Sequence, residues 1–194
     1  MDLRDRFVVA LLLSLAAIAA PAFAQAPPAH PQTAPAPAGA APAAGAPAMS
    51  NYLIPIGATI SLEAAKKAAA AASAEAHKNH WLMAIAVVDP AGTLVYYEKA
   101  DNTQLGSAVV AVEKARSAAL FKRPTKAFQD AVEKGGAGLR ILRLEGAVPV
   151  EGGVPLLVDG KLIGAIGVSG DLSENDAKCA TAAAAALATK TASN

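Results

Sequence analysis

The sequence predicts an α/β fold, a sandwich in which helices cover both faces of a central antiparallel sheet of about five strands. Three observations lead there. Residues 82–88 are continuously apolar, as a strand covered on both faces must be. Two turn signals, Asp89-Pro90-Ala91-Gly92 and Asp159-Gly160, each join a pair of strand-like runs, and a hairpin dictates antiparallel pairing. Ala-rich stretches of helical length stand between and around these hairpins.

The elements follow in order from about Tyr52. Ser61 is a good N-cap and Glu63 complements the helix dipole, so residues 62–78 read as the first helix. Residues 82–88 and 93–98 form the first hairpin. Ala108, Ala111, Val112, Ala115 and Ala119 share one face of a second helix over 107–122, and Pro124 ends it, because the residue before a proline avoids helical geometry. Thr125 can cap a short third helix, in which Phe128 and Val132 are one turn apart and which stops at Gly135-Gly136. Residues 139–144 read as a strand. Residues 154–158 and 161–169 form the second hairpin, and a closing helix over 173–189 has Ser173 as its cap with Glu174 and Asp176 in its first turn.

Ahead of this domain stand two segments of different character. Arg4 and Arg6 precede an apolar run over 7–20, and Ala22-Phe23-Ala24 offers small residues where a signal peptidase reads, which is the pattern of a secretory signal peptide over residues 1–24. The run is shorter than the about 20 apolar residues a membrane span requires. Residues 25–50 are almost entirely Ala and Pro with a few Gly, a composition that stays extended and acts as a spacer, with His30 a spectator inside it. The expectation is an exported protein, periplasmic or secreted, with no membrane span after cleavage and one domain over 51–194.

Composition excludes several functions. With 17 Lys+Arg against 16 Asp+Glu the net charge is +1, so no basic footprint for nucleic acid exists. Cys179 stands alone, which rules out an intramolecular disulfide or a cysteine metal cage and reads as a buried, inert thiol. No strand–turn–helix phosphate motif occurs, and Val168-Ser169-Gly170 lacks the glycine-flanked nucleophile elbow.

The most specific stretch runs from Gly152-Gly153-Val154-Pro155 through Asp159-Gly160-Lys161 to Gly164-Ala165-Ile166-Gly167-Val168-Ser169-Gly170. Glycine inside a strand weakens it unless a helix, another backbone or a ligand must come close. This run resembles the signature of the GlcG/HbpS haem-binding family, also found as the C-terminal part of PduO-type proteins. Val87 to Val95 is similar to that family's first hairpin, and Glu113 to Thr125 to its central helix and proline-ended turn. The resemblance implies a profilin-like fold, homo-oligomers, and a small-molecule ligand that in some members is haem or a related tetrapyrrole.

A haem requires an apolar slot, basic groups for its propionates and an axial ligand. Lys114 and Phe121 fall on one face of the central helix with Ala118, and Arg123 lies just beyond, so these could offer a cation and an aromatic ring; Arg116 is a further cation. Gly152 and Gly153 mark a sharp turn that could admit a guest, and Asp101 is a loop carboxylate without an evident partner. His77 and His80, at i and i+3, are weak candidates for a metal ligand, because Lys78-Asn79 looks like a helix end that separates them. Met83, Tyr96 and Tyr97 could ligate by type but suit strand packing. The reading is a haem-binding protein of storage, sensing or detoxification; the alternatives are a homo-oligomeric partner-binding module, or an enzyme of haem breakdown or small organic-acid metabolism.

Overall fold

A computed structural model describes residues 53–188, so the expected signal peptide, the Ala/Pro spacer and His30 lie outside the described residues. Within it the elements are α1 (Leu62–Lys78), β1 (Ala84–Val88), β2 (Leu94–Lys99), α2 (Ser107–Leu120), α3 (Lys126–Glu133), a 3₁₀ helix (Gly136–Arg143), β3 (Gly153–Val158), β4 (Lys161–Ser169) and α4 (Ser173–Leu187). The sheet runs β2-β1-β4-β3 and every neighbouring pair is antiparallel.

Both hairpins form where their turns demand. Asp89 Oδ1 accepts from the N–H groups of Ala91 and Thr93, each at 2.9 Å, closing the first turn with a side chain. At the second, Asp159 and Gly160 both have positive φ, at 50° and 71°, as a two-residue turn matched to the strand twist requires. Pro155 lies on edge strand β3, where its missing N–H is tolerated.

The sheet has four strands, one fewer than expected. Residues 139–144 are not a strand: Gly136–Arg143 is a 3₁₀ helix, entered through positive φ at Gly135 (69°) and Gly136 (54°). Leu139 and Leu142 stand three apart, the 3₁₀ repeat, and both remain exposed. A fifth position is only begun, by Ile56, which makes one parallel bridge to Leu162 beyond the end of β1.

The two faces of the sheet are covered differently. Ile85 and Val87 of β1 and Ile166 and Val168 of β4 join a core with the buried alanines of α1 and with Cys179, Ala180 and Ala183 of α4. Ala84, Ala86, Val88 and Ala165 face α2, which answers with Ala111, Ala115, Ala118 and Ala119. Gly167 belongs to this second face: a methyl there would drive into the Ala111 carbonyl oxygen and the Ala115 amide nitrogen. The in-strand glycine is therefore the condition for α2 to lie directly on the sheet.

Caps agree with the sequence at α1 and differ elsewhere. Ser61 accepts from Ala64 N at 3.1 Å. Thr125 does not cap α3; its hydroxyl accepts from Gly153 N at 2.9 Å while its N–H donates to Gly153 O at 3.0 Å, tying α3 to β3. Ser173 is the first residue of α4 and not its cap, and the Asp176 carboxylate accepts from Asp171 N at 3.2 Å.

Candidate functional site

The sequence-predicted residues fall into three separate places. The first surrounds Lys114, whose side chain is only 1% exposed. Its ammonium donates to Asp176 Oδ2 at 2.7 Å and to Val168 O at 3.2 Å. It therefore faces inward and spans from α2 to α4. The reason is Ala-rich α2, whose small side chains bring its inner face so close to the sheet that a residue one turn after Ala111 has nowhere to go but across the sheet edge. Gly152 and Gly153 make the passage. A side chain at Gly152 (φ 120°) would meet Lys114 Nζ, Val168 O and Asp176 Cβ, all under 3.0 Å, and one at Gly153 would strike the Lys114 carbonyl. Burial pushes the Asp176 carboxyl above the usual carboxylate range, an effect the Lys114 hydrogen bond opposes.

The second place holds Phe121 and Arg123. The Phe121 and Phe128 rings meet edge to face, with centroids 5.2 Å apart at 83°. The Arg123 guanidinium lies 5.5 Å from the centre of the Phe128 ring and its Nε donates to Phe121 O at 3.2 Å. Next to it, a groove of about 390 Å³ opens between the outer face of α2 and the 145–148 loop, with Leu120, Ala147 and Val148 as apolar wall and Glu113, Arg116 and Glu145 as charged groups. Arg116 is held there by a bond from its Nε to Gly92 O at 3.1 Å.

The third place contains His77. The first helix ends at Lys78; Asn79 caps it, with Nδ2 donating to Glu75 O at 2.8 Å, and His80 turns away with φ 60°. His77 and His80 thus do not share a helical face, and no group of three or more His, Cys, Asp or Glu able to hold a metal occurs among the described residues. His77 instead borders a cavity of about 210 Å³ between the last turn of α1 and the first hairpin, walled by Ala76, Trp81, Met83 and Ile85, with Lys99 beside it. Among the described residues, neither the His77 imidazole nor the Lys99 ammonium has a hydrogen-bond or ion-pair partner. The Trp81 indole is steadied by Lys178 of α4, whose ammonium lies 5.5 Å from the ring centre. Glu98 also lines the cavity, and it accepts from the Tyr96 hydroxyl at 2.9 Å, a bond that raises the pKa of that hydroxyl.

Asp101 sits exposed in the turn between β2 and α2, and its carboxylate makes no hydrogen bond among the described residues. Of the predicted residues, then, Lys114 joins Gly152 and Gly153 in a buried clamp, Phe121 joins Arg123 in an aromatic cluster, and His77 lines a cavity together with Met83. Trp81 and Lys99 were the residues sequence reasoning missed. The alternating pattern of β2 could have found Lys99, because its position next to β1 places it beside whatever follows α1.

Comparison with known proteins bears on this geometry. A family model described as HbpS-like, haem degrading protein HbpS-like, matches residues 60–185. The chain is 42% identical over 110 residues to protein GlcG of Escherichia coli K12, covering 57% of this chain and 81% of that one. Among solved structures it is similar to HbpS, with a TM-score of 0.62 and 30% identity over 68% of this chain and 92% of HbpS. It is also similar to PduOC solved as a haem complex, with a TM-score of 0.61 and 30% identity over 66% of this chain and 95% of PduOC.

Proposed function

The chain belongs to the HbpS-like family, and from that premise we propose that it is a binding protein for haem or a related tetrapyrrole, seated at the cavity between α1 and the first hairpin. The observation that carries this reading is the imidazole of His77, without a partner among the described residues, on the border of an apolar cavity. Histidine is a common axial ligand of haem iron, and a porphyrin edge requires an apolar slot with a cation for its propionates. Trp81, Met83 and Ile85 supply the slot and Lys99 the cation. A cavity of about 210 Å³ is smaller than a whole macrocycle, so these residues hold one edge of it. When bound, the iron supplies the redox chemistry; the protein's part is to hold and orient the ring.

Two further expectations accompany this reading. The pattern of residues 1–24 supports export, with function in the periplasm or outside the cell in storage, sensing or detoxification. Exposed Val109, Leu120 and Leu142, each more than half accessible, support a homo-oligomer.

Titrating haem into the purified full chain tests the proposal. A saturable, shifted Soret band that His77→Ala abolishes and His80→Ala leaves in place is the expected result. A spectrum identical to free haem, or an unchanged band in His77→Ala, overturns it. Loss of haem beyond one equivalent in the presence of peroxide would replace binding with enzymatic breakdown.

A further inference from the structure

At the outer edge of β3 lies a cavity of about 230 Å³ that the haem reading does not use. Its apolar lining comes from Pro124, Val154 and Ala177, and its polar lining from Glu151, Lys126, Thr181 and, at Gly152 and Gly153, bare backbone. Glu151 is only 6% exposed, yet among the described residues its carboxylate makes no hydrogen bond or ion pair. Its backbone N–H bonds to Gln129 Oε1 at 3.0 Å, which fixes the residue in place. No side-chain oxygen among the described residues is sealed off without a partner, so the carboxylate opens onto the cavity it lines. A carboxylate on a residue this deeply buried, without a hydrogen-bond partner among the described residues, is well placed to take up a cation or a hydrogen-bond donor.

We propose that this cavity is a separate site for a small molecule carrying a primary ammonium group on a short apolar body. An ammonium has three N–H donors. Glu151 accepts one with its charge. Thr181 donates its own hydroxyl hydrogen to Ala177 O at 2.7 Å, which leaves its oxygen lone pairs to accept a second. Pro124, Val154 and Ala177 pack against the apolar body. Lys126, which lines the same cavity, does not fill this role, because its Nζ is held by Asp130 at 2.8 Å and feels Glu151 only through space. A hard divalent cation fits poorly: it requires six or more oxygen ligands, or a shell of retained waters, and here one carboxylate and one hydroxyl share the lining with apolar walls and the Lys126 side chain.

The test titrates ethylammonium chloride into the full chain, reading heat and unfolding temperature, with sodium and magnesium chloride as controls. Ethylammonium should raise the unfolding temperature above both controls. Glu151→Gln, which keeps the shape and removes the charge, should weaken binding by about tenfold or more, as loss of a charge-assisted hydrogen bond does. Thr181→Val on the surface of α4 should weaken it by a smaller factor, and it serves alone should Glu151→Gln fail to fold. No shift beyond the controls, an equal response to magnesium, or equal binding in the variants overturns the proposal. A change in assembly mass in Glu151→Gln also overturns it, since a second copy would then be what answers the carboxylate.

Discussion

On the face of the sheet that carries α1 and α4, Ile85, Val87, Ile166 and Val168 fill the space between layers, whereas the face under α2 presents Ala84, Ala86, Ala165 and Gly167. Strands β1 and β4 contribute to both, so the difference lies in alternate residues of the same strands. Where side chains are large, the helices stand off and stability comes from buried aliphatic area, about 1.5–3 kcal/mol for each large side chain. Where they are small, helix backbone meets strand backbone and close approach itself is the packing. The two faces should therefore fail in opposite ways, the first when side chains shrink and the second when they grow.

The largest effect is expected where the two faces are joined. Lys114 leaves the small-residue face and ends on Asp176 of α4, so the pair fastens α2 to the opposite layer past Gly152. Lys114→Ala leaves a buried carboxylate uncompensated, and urea unfolding should register a loss of about 3–5 kcal/mol. Lys114→Met with Asp176→Asn removes both charges and keeps an acceptor for the Asp171 N–H. The double variant should recover most of that loss, because an apolar replacement of a buried pair is often neutral. If the double variant is as unstable as the single one, the attachment of α2 depends on the charges themselves, and the contrast between faces must be redrawn around them.

A paired experiment addresses the contrast directly. Gly167→Ala adds one methyl against the Ala111 carbonyl and Ala115 amide, and should cost about 1–3 kcal/mol or more, since the backbone of α2 must move. Ile85→Val removes one methyl from the other face and should cost about 0.5–1.5 kcal/mol. The reverse ranking in denaturant melts would mean that α2 adapts freely and that its close approach is not what glycine secures.

Much of this arrangement was legible in the sequence because it is local. Turn residues fixed both hairpins, and Gly164 and Gly167 announced a close approach before the approaching group was known. Lys78-Asn79 marked the helix end that separates His77 from His80. What stayed hidden depends on distant contacts. Lys114 reads as a cation on offer to a ligand until Asp176, 62 residues later, is brought against it. Residues 139–144 carry apolar side chains that suit a strand, but the chain enters them through the positive-φ turn at Gly135-Gly136 and continues as a 3₁₀ helix. Glu151 gives no local signal, since its surroundings come from distant elements, Gln129 of α3 and Ala177 and Thr181 of α4. The cavity at His77 was half visible: the histidine was noted, but its neighbours come from the hairpin that folds back over α1.

The smallest effect is expected in the seam between α1 and α4, where Cys179 is fully buried among alanines. Burial pushes its thiol up to about 12 from an ordinary value near 9.0. Because the folded value lies above the unfolded one, the thiol's contribution to stability is fully present below pH 9.0. It is lost as pH rises towards about 12, since the unfolded chain ionises first. At pH 8 iodoacetamide should therefore leave Cys179 essentially unmodified in the native protein and label it completely in urea, as read by intact mass. Labelling of the native protein at the unfolded rate would show that the α1–α4 seam opens readily. The large-residue face would then be the looser of the two, although it buries more aliphatic surface.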